Sequence, residues 1–332
     1  MKKLSKLFSF LLVFLVLTSI FYVKADSKTY VYLGGDSIGI KMETGVYVVG
    51  KYQVQTKEGK VSPWKHTNVE VGDRIESING IKIENNQQLQ SFLQNRNQQE
   101  LKLQLVRKNE KIQTSILPIE NTNHEQSIGL YIRDQVLGIG TLTFITKDGK
   151  FGSLGHGVYD NKTLLETLSG NLYYSTVQTI KKSEVGTAGE KRASINAQKI
   201  GKIIKNDITG LYGKLDTMNS SKKEIEVANQ DEIELGKAQL YTVVENQQIV
   251  AYDVEVVSIQ SQTKKDVKGI KIKITDSNLI QKTGGIVQGM SGSPIVQNGK
   301  LIGAVSHVTV ENPIYGYAMH IEWMIQESTK LE

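Results

Sequence analysis

The residues whose types could carry out a reaction begin with a serine between glycines, in the segment GMSGSP from Gly289 to Pro294. A serine hydroxyl is a weak nucleophile, so it needs a base that accepts its proton and backbone N–H groups that hold the oxyanion. Glycines allow the tight turn that points such amides inward. We therefore expect Ser291 to be the nucleophile and the amides of Gly289 and Met290 to form the oxyanion hole. The alternative is an ordinary β-hairpin whose glycines serve only the turn.

The candidate base is His156, which lies between two glycines in the segment FGSLGHG at 151–157. Histidine is the usual general base at neutral pH, and glycine neighbours leave its ring open to a cleft. The order of His156 before Ser291 is that of chymotrypsin-like enzymes and differs from that of α/β-hydrolases. A histidine that serves only a turn is the alternative interpretation. His307 follows the serine closely and fits a wall of the cleft better than the base.

The carboxylate that would orient the histidine is not fixed by spacing. In the chymotrypsin-like order it lies between the histidine and the serine. The aspartates found there are Asp160, Asp207, Asp216, Asp231, Asp253, Asp266 and Asp276. Spacing alone leaves all of them open.

Composition excludes several classes of site. A chain of 332 residues is long enough for two domains. The absence of cysteine excludes a disulfide framework, a cysteine nucleophile and thiolate metal sites. The histidines have no metal-ligand spacing, so we predict neither metal nor cofactor; they are His66, His124, His156, His307 and His320. The net charge of +6 is spread along the chain without a basic block, which argues against nucleic acid and fits an anionic membrane surface.

The N-terminus carries an export pattern. Three lysines within the first six residues precede an apolar run from Leu7 to Val23. Positive residues before a hydrophobic stretch keep that end in the cytoplasm. Residues 1–25 are therefore predicted to be a signal anchor or transmembrane segment, with the rest of the chain extracytoplasmic. A signal peptidase could also cut near Ala25, which leaves a cleaved signal peptide as the alternative.

Residues 28–119 are predicted to be one domain of short strands and one helix. The segment VEVGDRIESING at 69–80 alternates apolar and polar residues and ends in an Asn-Gly turn. Two asparagines can cap the helix that follows. This run resembles a bacterial PDZ domain, which binds an extended peptide as an added strand. The resemblance implies a peptide site formed by Ile38, Gly39, Ile40 and Leu89. A PDZ-like fold packed against its own chain is the alternative.

Residues 127–332 form the second predicted domain, with many short strands between glycine or Asn/Asp turns. Such a pattern indicates a barrel or sandwich. The hairpin around Ser291 resembles the nucleophile hairpin of chymotrypsin-like serine proteases, Gly-Asp-Ser-Gly-Gly-Pro. The resemblance implies that Ser306 and His307 contact the substrate. The predicted fold class is mostly β, with an N-terminal membrane segment, an α+β PDZ domain and a chymotrypsin-like double β-barrel peptidase domain.

A further resemblance covers nearly the whole chain. It rests on the segments SLGHG at 153–157, KITD at 273–276, TGGIVQGMSGSP at 283–294 and IEWM at 321–324. Together they are similar to the stage IV sporulation protein B peptidase family, which has a membrane segment, a PDZ domain and a serine peptidase domain in this order. In that family the aspartate that ends KITD is taken as the acid. The resemblance therefore implies a triad of His156, Asp276 and Ser291, with Asp160 as the reserve acid.

The same resemblance implies a role in endospore formation. The peptidase would be exported to the space between the forespore membranes and would cleave itself and a membrane-bound regulator of an intramembrane metalloprotease. That cleavage would trigger activation of a late sigma factor. The expected partners are this protein substrate, the membrane through the N-terminal segment and the chain itself, without nucleic acid. A catalytically inactive PDZ-bearing adaptor is the main alternative. A quality-control protease is a second one, although such proteases usually place the PDZ domain last.

Overall fold

The computed structural model describes residues 28–95, 99–108, 110–160, 163–165, 169–218 and 222–331. The predicted membrane segment at 1–25 lies outside these residues. Within the described ranges, no helix is long and apolar enough to cross a membrane. The chain is mostly β, as predicted, and the predicted PDZ region precedes the predicted peptidase region along the sequence.

The first part of the chain contains β1 (Tyr30–Leu33), β2 (Ser37–Lys51), β3 (Val54–Thr56), β4 (Gly59–Val61), a 3-10 turn (Pro63–His66), β5 (Arg74–Ile78), β6 (Ile81–Lys82), α1 (Asn86–Gln94), β7 (Leu101–Arg107), β8 (Glu110–Ile116), β9 (Ile119–Glu120) and β10 (Gln126–Ser127). The middle part contains β11 (Leu130–Ile145), β12 (Lys150–Ser153), β13 (Tyr159–Asp160), β14 (Thr163–Leu164), β15 (Ser169–Lys181), β16 (Gly189–Asp207), β17 (Gly210–Leu215) and β18 (Glu224–Val227).

The last part of the chain contains a 3-10 turn (Gln230–Glu232), β19 (Gly236–Val243), β20 (Ile249–Ile259), β21 (Ile270–Ile274), α2 (Ser277–Thr283), β22 (Val287–Gln288), β23 (Pro294–Gln297), β24 (Lys300–Val308), β25 (Tyr315–His320) and α3 (Ile321–Thr329). The Asn-Gly pairs at 79–80 and 298–299 both have positive φ at each residue, the conformation of a tight hairpin turn.

A first six-stranded antiparallel barrel closes through β2, β11, β12, β17, β16 and β15, because β15 also pairs with β2. Side chains alternate between the two faces of a strand. In β2 this alternation turns Ile38, Ile40 and Met42 into the barrel, where they pack against Leu142 and Phe151. The predicted alternation of apolar residues thus fills one continuous core.

A second six-stranded antiparallel barrel closes through β19, β20, β21, β25, β24 and β23. In β21 the isoleucines Ile270, Ile272 and Ile274 face the core, while Lys271 and Lys273 lie between them on the outer face. The strict alternation of the segment IKIKI therefore places one strand with its apolar side inward. The peptidase region consists of these two barrels.

The PDZ core forms at the far end of a long ribbon made by β2 and β11. These strands pair from Ser37 opposite Thr141 to Lys51 opposite Leu130. Their outer halves join β5, β7, β8 and α1 around a separate apolar core that includes Leu89 and Leu93. The PDZ domain is therefore inserted between two strands of the first barrel.

The ribbon changes two sequence-based expectations. Residues 30–42 fall inside the predicted PDZ range of 28–119, but β1 and the first half of β2 pair with strands of the first barrel. The predicted peptide edge at Ile38, Gly39 and Ile40 is also wrong. Both edges of that segment are occupied, by β11 on one side and β15 on the other. No edge remains there for a peptide strand, and Leu89 belongs to a different core.

The C-terminal helix α3 is fixed to the first barrel by a buried carboxylate. Glu327 is 1% exposed and forms ion pairs with Lys205 at 2.5 Å, Lys330 at 2.6 Å and Lys265. Burial alone would raise the pKa of Glu327, but the hydrogen bonds from these three lysines outweigh it and lower the pKa to about 2. Since Lys205 lies on β16, this cluster connects the end of the chain to the strand that leads toward the histidine loop.

Candidate active site

The two predicted reacting groups come from different barrels and meet between them. His156 follows β12 of the first barrel, and Ser291 precedes β23 of the second. Nε2 of His156 lies 2.9 Å from Oγ of Ser291. Nδ1 of the same ring lies 2.8 Å from the carbonyl oxygen of Gly157. Because a carbonyl oxygen only accepts, Nδ1 carries the proton and Nε2 is free to accept the serine proton.

The histidine loop is held by backbone contacts to the turn between β16 and β17. The amide of Gly157 donates to the Ile208 carbonyl at 3.0 Å. The amide of Val158 donates to the Asn206 side chain at 2.9 Å, and the Asn206 amide group donates back to the Val158 carbonyl at 2.9 Å. These contacts fix the position of the chain directly after His156.

The nucleophile loop is packed against β11 of the first barrel. Its Gly292 has a φ of +89°, and a Cβ there would come within 2.3 Å of the Thr141 carbonyl oxygen and the Leu154 nitrogen. Only glycine fits this approach. The amide of Thr141 donates to the Ser291 carbonyl at 2.9 Å, and the hydroxyl of Thr143 donates to the Gly292 carbonyl at 2.7 Å.

These two threonines were not singled out from the sequence. They lie at strand spacing in the segment GTLTFI at 140–145, so both point to the same face of β11. Thr141 and Thr143 are fully buried, and their hydroxyls donate to carbonyls of the nucleophile loop. Two hydroxyls on one face of an otherwise apolar strand are a signal for buried hydrogen bonds that a sequence reading could use.

The predicted oxyanion hole is partly wrong. The amide of Met290 donates to the Val287 carbonyl at 3.1 Å, so it serves the loop and does not point at a substrate. The Met290 side chain is fully buried in the core of the second barrel. Gly289 has a φ of +92°, as the predicted tight turn requires. The amides on either side of Met290, those of Gly289 and Ser291, are the remaining candidates in this loop.

The predicted acid Asp276 is not connected to the histidine. Its carboxylate accepts a hydrogen bond from the Leu279 amide at 2.9 Å and caps the N-terminus of α2. The second nitrogen of His156 is bonded instead to the backbone of Gly157. The sequence held a signal for this outcome, because an aspartate directly before a helical segment is a preferred N-cap. The side chain of Asp160 lies outside the described residues, so its role as acid stays a prediction.

Both histidines at the cleft have lowered pKa values. Desolvation lowers the pKa of His156 below its ordinary value, and the bond to the Gly157 carbonyl only partly opposes this. Desolvation, followed by repulsion from His156 and Lys268, lowers the pKa of His307 to about 4. The two rings lie 5.7 Å apart. Both are therefore neutral at neutral pH, which is the state a general base requires.

The cleft in front of Ser291 has a volume of about 520 Å³ and is mostly apolar. Its lining includes Val136, Ile139, Val158, Ile286, Val287 and Val305 together with both histidines, and among the side chains that the structure describes none in the lining is Asp, Glu, Lys or Arg. The predicted contact residues Ser306 and His307 both line it. The hydroxyl of Ser306 is directed away, since it donates to the carbonyls of Val267 and Tyr317. Within the described ranges, no group of three or more side chains could hold a metal ion.

Comparisons with solved structures find partial likenesses. The PDZ domain of an SdrC-like protein from Listeria monocytogenes has a TM-score of 0.23 at 19% identity, over 27% of this chain and 90% of that one. The Rv3671c protease from M. tuberculosis has a TM-score of 0.37 at 11% identity in its active form, over 59% of this chain and 76% of that one. Its inactive form gives 0.36 at 12% identity, over 58% and 83%. No curated protein matches the chain.

Comparison with protein families gives two adjoining matches. The model for the Tricorn protease PDZ domain matches residues 35–121. The model for the SpoIVB peptidase S55 domain matches residues 124–325, which is more than half of the chain. Its range contains both His156 and Ser291. The chain is therefore a serine peptidase and belongs to the SpoIVB peptidase S55 family.

Proposed function

We propose that this serine peptidase is an endopeptidase that cleaves an extended, apolar segment of a membrane-bound regulatory protein. The observation that carries the proposal is the 2.9 Å contact between Nε2 of His156 and Oγ of Ser291, in an open cleft between the two barrels. This contact joins a neutral base to the serine that the base must deprotonate.

In the proposed reaction, Nε2 of His156 takes the hydroxyl proton as Oγ of Ser291 attacks the peptide carbonyl carbon. The oxyanion that forms accepts hydrogen bonds from the amides of Gly289 and Ser291. His156 then gives the proton to the leaving amine, and the peptide C–N bond breaks. Water, deprotonated by the same histidine, attacks the acyl-enzyme, and its proton returns to Oγ as the acid product leaves.

The Gly157 carbonyl takes the place that a carboxylate has in a complete triad. It fixes the tautomer of His156 by accepting a hydrogen bond from Nδ1–H, with 2.8 Å between Nδ1 and the carbonyl oxygen. A neutral carbonyl stabilises the imidazolium less than a carboxylate does. We therefore infer a serine–histidine pair oriented by the backbone, unless the side chain of Asp160 supplies the acid.

The cleft favours an uncharged substrate segment. Its lining is apolar around two neutral histidines, so a charged side chain entering it would lose hydration without gaining a partner. Ile286 lines the cleft and packs against Gly316, where a Cβ would come within 2.3 Å of Ile286. This favours an apolar substrate side chain beside Ile286.

The proposed setting is endospore formation, in the space between the forespore membranes. Membership of the SpoIVB peptidase S55 family supports it, as does the lysine-flanked apolar segment at the N-terminus. There the peptidase would cut itself and a regulator of an intramembrane metalloprotease.

The PDZ domain supports recruitment of a protein partner. Leu89 borders a groove of about 210 Å³ beside α1 and the start of β11, which is the better candidate surface.

One experiment tests the peptidase and its self-cleavage together. The full chain is incubated with a fluorophosphonate probe, as wild type, as Ser291→Ala and as Ser258→Ala. Ser258 is the control because it is exposed on β20 of the same barrel and does not line the cleft. We expect labelling and self-cleavage in wild type and Ser258→Ala but not in Ser291→Ala. An unlabelled wild type would support the inactive adaptor instead.

A further inference from the structure

A buried lysine lies directly behind the nucleophile loop. Lys191, on β16, is 5% exposed, and its Nζ donates to the Thr242 hydroxyl at 3.0 Å. Among the described residues it forms no ion pair with any carboxylate. A buried ammonium with a single hydroxyl partner is unfavourable for folding. Its position behind the Gly289 turn therefore indicates a role in the site.

The stem of Lys191 packs against the turn at Gly289. A Cβ at Gly289 would come within 3.1–3.2 Å of the Cβ, Cγ and Cδ atoms of Lys191. The strand β16 that carries the lysine also pairs in parallel with β22, immediately before this turn. The aliphatic stem of Lys191 thus packs directly against the backbone of Gly289.

The ammonium is linked to the same turn through hydroxyl groups. The Thr242 hydroxyl that accepts from Lys191 lies 2.9 Å from Oγ of Ser293. Oγ of Ser293 lies 3.3 Å from the Thr141 hydroxyl, which donates to the Gly289 carbonyl at 2.9 Å. All four side chains of this chain of contacts are buried. A change at one end can therefore shift the peptide at the other end.

No charged group described around Lys191 holds its ammonium in the protonated state. Its neighbours Glu190 and Arg192 pair with each other at 3.1 Å and are exposed. The adjoining β22 contributes the neutral Gln288, and β19 contributes the hydroxyl of Thr242. On the other side of Ser291 the titratable group is His156. Burial lowers the pKa of Lys191 to about 7, so the ammonium loses its proton near neutral pH.

We propose that Lys191 is a positioning residue. Its aliphatic stem holds the Gly289 amide toward the oxyanion, and its ammonium group stabilises the negative charge of the oxyanion. The inference rests on the proposed role of that amide in the reaction. An ammonium behind the loop stabilises charge that develops in the transition state more than it stabilises the neutral substrate. Its effect therefore falls on kcat and disappears when the lysine loses its proton.

The test compares Lys191→Met and Lys191→Arg with wild type in the full chain, on an uncharged peptide substrate. Methionine keeps the length and apolar stem of the lysine and removes the charge. We expect Lys191→Met to lower kcat about tenfold or more with KM within twofold. Its activity should also lack the decline that we expect for wild type above a midpoint near pH 7. Lys191→Arg, which stays charged, should retain more kcat than Lys191→Met and should not show that decline.

Thermal unfolding separates this role from a structural one. Removing an unpaired buried charge should leave Tm unchanged or raise it, so a lower kcat with an equal or higher Tm supports positioning. A Lys191→Met variant with the wild-type kcat at every pH would overturn the proposal. So would a lower kcat that falls only together with Tm and keeps the wild-type pH profile. If Lys191→Arg fails to fold, Thr242→Val replaces it in the test. This variant removes the hydroxyl that accepts from Lys191, and it should also lower kcat.

Fluorophosphonate labelling keeps the two proposals distinguishable. Labelling of Ser291 in wild type that is slowed in Lys191→Met supports the role of the lysine. A wild type that neither labels nor turns over would refute the proposed function itself, and with it the role of Lys191. Equal labelling rates in the two proteins, with normal turnover, would refute the lysine role alone.

Discussion

The serine loop is fixed by buried hydrogen bonds from the opposite barrel, whereas the ring of His156 is oriented by the backbone beside it. On the serine side, β11 of the opposite barrel binds the loop through the amide of Thr141 and the hydroxyl of Thr143. On the histidine side, tertiary contacts hold the loop after the ring, but the partner of Nδ1 among the described residues is the carbonyl of the next residue. The difference teaches that tertiary contacts position both loops, while the ring of the base is oriented locally.

The largest expected effect is that of Ser291→Ala. Removing the nucleophile should lower kcat by about 10³-fold or more. The fold should persist, because the contacts that hold the loop use its backbone and neighbouring residues. Turnover of an uncharged peptide and Tm are the measurements. A folded variant with undiminished turnover would contradict the assignment of Ser291.

His156→Ala should have an effect of similar or slightly smaller size, because it removes the base but leaves the serine loop intact. His307→Ala is the matched control, since its ring lies 5.7 Å away in the same cleft. It should lower kcat/KM far less, through substrate contact. Equal losses in the two variants would show that the histidine side is not organised around His156 alone.

Acidification should weaken the ion pairs of Glu327, which join the C-terminal helix to the strand that leads toward the histidine loop. The pKa of Glu327 is lowered to about 2 from an ordinary value of 4.5, so its stabilising contribution is complete above pH 4.5 and is lost as the pH falls toward 2. The total amounts to at most about 3 kcal/mol. Urea unfolding of wild type and Glu327→Gln across this range measures it. The expected result is a stability difference that is large at pH 6 and shrinks toward pH 2.

The pH dependence of activity should reflect the lowered pKa of His156. Neutral imidazole is the active form, so kcat/KM should rise with pH through a midpoint below the ordinary 6.5. A rate profile between pH 4 and 7 provides the measurement. A midpoint above 6.5 would indicate that a carboxylate accepts the hydrogen bond from Nδ1. An acidic side chain, and not the Gly157 carbonyl, would then orient the ring.

The smallest effect is expected from Asp276→Asn. Asparagine also caps helices well, so both Tm and kcat should stay close to wild type. Asp276→Ala should lose about 1 kcal/mol of stability through the missing cap, with little change in kcat. If Asp276 were the triad acid, the asparagine variant would instead lose about 10⁴-fold in kcat. Kinetics of this pair would settle whether Asp276 is the acid.

The sequence allowed Ser291 and His156 to be predicted because each lies in a short motif whose chemistry is local. The two-barrel architecture was also accessible, through strand alternation and turn residues. The direction of the Met290 amide depends on the turn that Val287 completes, which residue types do not specify. The misplacement of Ile38 had a similar cause, since the strand that covers its edge begins more than 100 residues later. The role of Asp276 as acid is implied only by the family resemblance, whereas its position directly before a helix predicts the cap that it forms.

The insertion of the PDZ domain between β2 and β11 determines what a single cut in the chain can achieve. A cut between β9 and β10, at 121–125, would leave the two pieces bound to each other along the β2–β11 ladder. Such a cut produces a nicked enzyme and does not release a free peptidase. A fragment that begins at residue 127 would lack β2, and its first barrel would have an open seam between β11 and β15. The strand β2 is thus an integral part of the first barrel, and proteolysis cannot remove it without opening that barrel.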